Sequence, residues 1–197
     1  MNDKTGQPWQ QQSDLPGGQQ QSYRIFEIRS DWLTLIGEHL QDEQGKILEY
    51  WRVEKADSAI ILAIQNHHLI LPPPMYRPGL QTVTLDFPGG RVPPTENPTA
   101  AVANILHREL GIAKEGIAQI TPLNTQGWAV NSSFSNQRVY GFVAELHLTI
   151  EIPPAKIGST YPTTPAGIQS LLNSLTCLQC RAMLLEWWLN KSSQDSD

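Results

Sequence analysis

The chain has 197 residues, enough for one domain with a full core, and its 40% hydrophobic and 17% charged residues are an ordinary balance for a globular protein. A formal net charge of -5 argues against broad nucleic-acid binding, because phosphate backbones are held by basic surfaces. No stretch is long and apolar enough for a membrane span and no signal-peptide pattern stands at the start, so the expected setting is the cytoplasm, without membrane attachment. Cys177 and Cys180 are the two cysteines, which fits a reducing compartment without a disulfide framework.

Residues 1–22, rich in Gln, Gly and Pro, carry too little apolar surface to offset the entropy of ordering and read as a disordered tail. Residues 23–55 read as antiparallel strands: Trp32 to Leu40 and Ile47 to Val53 flank the turn sequence Asp42-Glu43-Gln44-Gly45-Lys46. Trp32 and Trp51 are expected to pack; stacking on a base is the alternative. Ala59 to Ile64 is a continuous apolar run, hence a buried strand, and Asn66-His67-His68 turns it back into Leu69-Ile70-Leu71. His67 and His68 have no Cys or acidic residue close by in sequence and read as solvated loop histidines rather than metal ligands. Pro72-Pro73-Pro74 donates no ladder hydrogen bond, so the strand should end there or run at an edge.

The most informative stretch is Asp86 to Ile112. An apolar run ends in Pro88-Gly89-Gly90, a proline-broken loop follows, and Asn97-Pro98 opens a helical run that stops at Gly111. Gly90, Glu96, Leu106, Glu109, Gly111 and Ile112 fall in register with a glycine, five residues, a glutamate, seven residues, then Arg-Glu-apolar-x-Glu-Glu-x-Gly-apolar. The stretch thus resembles the Nudix box. The approach to it, Met75-Tyr76-Arg77-Pro78-Gly79-Leu80 and Leu85-Asp86-Phe87-Pro88-Gly89-Gly90, is similar to that of ADP-ribose pyrophosphatases. Covering residues 23–190, the resemblance implies an α/β protein of the Nudix fold, an α/β/α sandwich with a mixed β-sheet preceded by an N-terminal antiparallel hairpin. It also implies a nucleotide or ADP-sugar-type ligand, Mg2+ or Mn2+ if the protein is active, and a homodimer formed through the N-terminal strands.

The box departs from the family pattern where the chemistry resides. The Arg-Glu and Glu-Glu positions supply carboxylates on one helical face, at spacings of three and four, to cage magnesium. Here Asn104 holds the arginine position, and the three carboxylate positions are Ile105, Arg108 and Glu109. Isoleucine has no ligand atom, and Arg108 brings a cation where a dication would sit. The remaining metal candidates are Glu109, Glu96 and the Gly89 carbonyl; Glu96 is often structural in the family. Arg77, Arg108, Gly89 and Gly90 are the candidate ligand contacts, with Arg77 equally suited to a salt bridge with Asp86 or Glu109. Gln126 replaces the proline of the Pro-Gly marker of ADP-ribose pyrophosphatases. Gln137 stands where relatives carry a loop glutamate as base or ligand, and an amide takes no proton near neutral pH.

Ile117 to Leu123 and Arg138 to Leu148 read as strands, and residues 151–164 as a long connection. Residues 165–190 read as one last helix, with Ile168, Leu171, Leu175, Leu178, Ala182, Leu185 and Leu189 as a continuous apolar stripe facing the sheet. A partner or dimer helix is the alternative, helped by Trp187 and Trp188. Cys177 and Cys180 on that helix read as structural thiols, and residues 191–197 as a frayed end. The expectation for function is a Nudix-fold protein with lost or very weak hydrolysis, retained for binding a nucleotide-type ligand or a protein. The alternatives are an active pyrophosphatase in which Glu109, Glu96, Asp86 and Glu115 regroup, and an assembly module using the terminal helix and the tail.

Overall fold

The computed structural model describes residues 10–11, 21–42 and 44–194, which fall into two compact units, one drawn from residues 1–56 and 129–137 and the other from 57–128 and 138–197. The first unit is an antiparallel sheet in the order β1 (Gln10–Gln11), β2 (Gln21–Arg29), β3 (Thr34–Gln41), β4 (Ile47–Glu54). Gln10, Gln11, Gln21 and Ser22 of the expected tail thus lie in strands, and the rest of that tail lies outside the described residues. Ser30 shapes the β2–β3 turn, its Oγ accepting from the backbone N–H of Trp32 at 3.1 Å and of Leu33 at 3.2 Å. Asp42 does the same for β3–β4, accepting from Gln44 at 3.0 Å and Lys46 at 2.8 Å, with Gly45 at φ 80°.

Phe26, Gly37 and Trp51 stand in one cross-strand row. Gly37 has no side chain, so the Trp51 ring lies over it and reaches Phe26 at 5.5 Å between centroids. Trp51 packs as expected. Trp32 does not: it sits at the tip of the Ser30 turn, 70% exposed, because β3 starts two residues later than the apolar pattern suggested. On the sheet's other face Ile36 is fully buried and Arg52 is held by Glu38 at 2.8 Å and Glu54 at 2.6 Å.

The second unit contains β5 (Ser58–Gln65), β6 (His68–Leu71), β7 (Met75–Arg77), β8 (Thr82–Thr84), β9 (Gly89–Arg91), α1 (Pro98–Leu110), β10 (Ile117–Pro122), β11 (Trp128–Ala129), β12 (Arg138–Leu146), β13 (Ser159–Pro162), α2 (Pro165–Ser174) and α3 (Leu178–Gln194). Its mixed sheet runs β10-β12-β5-β6-β13, with β9 beside the first half of β5; β12 and β5 are parallel and the other pairs antiparallel. Asn66 and His67 both have positive φ, the type I′ turn that suits a two-residue hairpin; His67 is a turn residue as read, whereas His68 is the exposed first residue of β6. The strand ends at Leu71, before the three prolines.

Side-chain alternation along β5 and β12 sorts the two faces. Ala59, Ile61, Phe142 and Ala144 pack with Val102, Ile105, Leu106 and Leu110 of α1. The opposite face receives α3: a Cβ on Gly141 would meet the Met183 sulfur. This is the α/β/α sandwich with a mixed sheet.

The C-terminal region corrects the single helix expected over residues 165–190. Leu175 is extended, at φ -83° and ψ 121°, and α2 ends there; α3 starts at Leu178 and runs through Gln194, past the expected frayed boundary. Arg181 holds the corner, its Nη1 donating to the carbonyls of Leu172 and Leu175. Three non-helical residues shift the helical phase. Ile168, Leu171 and Leu175 are buried as expected, but α3 buries Cys180, Met183, Leu184 and Trp187, and Leu178 from the expected stripe is 77% exposed, with Leu185 and Leu189 also outward. Cys177 precedes α3 rather than sharing one helix with Cys180.

Candidate functional site

Helix α1 is held at both ends by local chemistry. Asn97 accepts from the Thr99 N–H at 2.9 Å, Pro98 takes the first turn, and Gly111 at φ 73° lets its own N–H reach the His107 carbonyl at 3.0 Å while Ile112 N–H reaches Leu106 at 3.4 Å. Lys156 Nζ donates to the Arg108 carbonyl at 2.8 Å, a cation at the negative end of the helix. These anchors fix which side chains face the glycine turn at β9.

Ile105 is 2% exposed and belongs to the core. Arg108 bridges the glycine turn and its own neighbour on the helix. Its Nη2 donates to the Gly89 carbonyl at 2.7 Å and its Nε to Glu109 Oε1 at 2.9 Å. Both groups left as magnesium candidates at this end of the helix are therefore already held by one guanidinium. Gly90 makes the approach possible: a Cβ there would lie 2.7 Å from Arg108 Nη2 and 3.1 Å from Ile105 Cγ1. Asn104 points outward. Magnesium takes near-octahedral sets of oxygens, and the box helix as built offers one carboxylate, a carbonyl and a competing cation. The residues present do not fit that ion.

The other site candidates each have their own local contacts. Glu96 is half-buried at the bend before Asn97. Gln137 belongs to the first unit, where it is buried and its Nε2 donates to the Ala56 carbonyl at 3.1 Å. Arg77 makes the salt bridge weighed for it with Asp86: Nε and Nη2 stand at 2.8 Å and 2.7 Å from Oδ2.

Sequence reasoning missed what surrounds Asp86. Cys177 and Cys180 meet it, although 94 residues separate Asp86 from Cys180. The spacing of the two cysteines was visible; the third group was not, because only the packing of α3 on the sheet brings it there. Hydrogen bonding with Cys180 lowers the Cys177 thiol from its ordinary range, against the opposing effect of burial and helped by the backbone N–H groups of Cys180 and Gln179. Cys180 is pushed up by that same hydrogen bond and by burial.

Among solved structures, one described as the crystal structure of an ADP compounds hydrolase superposes with a TM-score of 0.68, at 20% identity, over 91% of this chain and 98% of that one. The fold is Nudix-like. No protein-family model and no curated protein matches the chain by sequence. In this Nudix-like fold the box helix faces the Gly89–Gly90 turn on one side of the sheet. A broad groove of about 1040 Å³ on the α3 side, lined by Ile64, Val143, Glu145, Trp187 and Lys191 among others, contains none of the box residues.

Proposed function

We propose that the chain binds a nucleotide or ADP-sugar-type small molecule and hydrolyses it very weakly or not at all. The observation that carries this reading is the Arg108 guanidinium seated on the Gly89 carbonyl and Glu109. Arg108 is 57% exposed, and an exposed ion pair contributes about 0–1 kcal/mol, so a diphosphate can compete with Glu109 for it. Arginine suits that task, since its planar fork matches phosphate oxygens. The ligand class rests on the fold and on the neighbour's description as a hydrolase of ADP compounds; the reaction is not carried over, because the carboxylates it would use are absent.

The test is calorimetry with ADP-ribose in the presence and absence of magnesium. Binding should not require the metal and should be lost in Arg108→Ala. Glu109→Gln, which releases Arg108 from its ion pair, should tighten it. The rival is a magnesium- or manganese-dependent pyrophosphatase on ADP-ribose or ADP-sugars with Glu109, Glu96, Asp86 and Glu115 regrouped, and the neighbour's description favours it. It demands the opposite: metal-dependent turnover of ADP-ribose that Glu109→Gln destroys. That result would end the binding-only reading.

For the N-terminal sheet we propose pairing with a second copy. Ile25, Phe26, Ile28, Ile47, Leu48 and Trp51 are exposed on its strands, more apolar surface on one small sheet than a lone chain usually presents.

A further inference from the structure

Asp86 lies in the segment that leads from β8 into Pro88-Gly89-Gly90, while Cys177 immediately precedes α3 and Cys180 sits in its first turn. The two sulfurs and an Asp86 oxygen all lie within 4.8 Å of one another, and Cys180 Sγ is 3.8 Å from Asp86 Oδ1. Zinc bonds of about 2.3 Å to sulfur and about 2.0 Å to oxygen place ligand atoms roughly 3.5–3.8 Å apart on a tetrahedron. The Cys180 Sγ–Asp86 Oδ1 separation of 3.8 Å falls at that spacing, and the remaining pairs lie within 4.8 Å.

The carboxylate is also oriented. Its Oδ2 is held by Arg77 from two nitrogens, at 2.8 Å and 2.7 Å, and by Thr84 Oγ1 at 2.9 Å. That leaves Oδ1 turned to the thiols, as a ligating carboxylate is fixed by partners behind it. Metal binding displaces the thiol protons, and the two thiolates and Asp86, set against the Arg77 guanidinium, then carry an excess negative charge that one dication cancels. Sulfur donors select a soft or borderline ion over magnesium or calcium. Cys180 is buried and Cys177 half-buried, so the cluster is closed on one side and open to solvent on the other.

We propose that Asp86, Cys177 and Cys180 bind a divalent cation of the zinc type, with water completing the shell. The ion fastens the start of α3 to the segment entering the Gly89–Gly90 turn. This site shares no residue with the box helix and stands or falls independently of the ligand reading above.

The experiment is titration of the reduced full-length chain with Co2+, followed by Zn2+. One equivalent of cobalt should raise a thiolate-to-metal charge-transfer band in the near ultraviolet, and zinc should bleach it. Cys177→Ser should remove much of that band, and Asp86→Asn should weaken cobalt affinity. Cys180→Ser is the matching variant; because Cys180 is buried, Cys177→Ser carries the test if Cys180→Ser fails to give the parent circular-dichroism spectrum. No charge-transfer band in the reduced protein overturns the site. So does a band unchanged in Cys177→Ser and Asp86→Asn, or a Cys177–Cys180 disulfide whose reduction yields no cobalt binding.

Discussion

Gly90 is the residue on which the seat of the Arg108 guanidinium depends. Its missing side chain leaves room for both Ile105 and the Arg108 guanidinium, so Gly90→Ala must push one of them away. The backbone there runs in β9 and pairs with Ala59, and Arg108 is the more exposed of the two, so the arginine should move. Gly90→Ala is expected to weaken ADP-ribose binding nearly as much as Arg108→Ala while leaving the thermal midpoint within a few degrees of the parent. Ile105 tests the opposite point. Ile105→Glu puts a carboxylate into the core beside Leu106 and Phe142. It should destabilise the chain in urea unfolding, because the neighbouring Arg108 guanidinium offsets only part of the cost of burying a charge, and should not by itself create magnesium-dependent turnover. Sequence position alone showed that Ile105 and Arg108 cannot ligate a metal. That Arg108 reaches back to the Gly89 carbonyl needed the packed helix.

At the scale of elements, capping decides where helices begin and end. Gly111 is left-handed, and a Cβ there would meet Pro153 at 3.2 Å. Gly111→Ala should therefore destabilise the chain by about 1–2 kcal/mol, read from the midpoint of chemical unfolding. Those caps were legible because each is a local chemical signature: Asn97-Pro98 before α1 and Gly111 after it. The break between α2 and α3 was not. No glycine or proline marks it, and the periodicity of leucines runs across it. The stop is imposed by Arg181, which reaches back from α3 to two carbonyls at the end of α2. Hydrogen bonds to a charged donor contribute about 1.5–3 kcal/mol. Arg181→Met keeps most of the stem's packing but not those bonds, and should lower stability by about 2 kcal/mol while leaving the helical content of the native state nearly unchanged by circular dichroism.

At the scale of the whole molecule, one consequence concerns assembly. If the exposed apolar residues of the N-terminal sheet pair with a second copy, sedimentation should report a dimer, and Ile28→Glu combined with Leu48→Glu should give a monomer without loss of the native spectrum. Both side chains are more than half exposed, so polar replacement is expected to be nearly neutral for folding of a single chain.

The sequence by itself determined the alternation of strands and helices, the strong turns, and which box positions lack carboxylates, because these depend on residue type and short spacing. The fold class followed from the resemblance that the box register carries. Only the tertiary structure decided that Trp32 faces water, that Leu178 and Leu189 leave the core, and that Asp86 meets Cys177 and Cys180. Each of those depends on how distant segments pack, and a one-dimensional pattern carries no record of a contact made across 94 residues by folding one face of a helix onto a sheet.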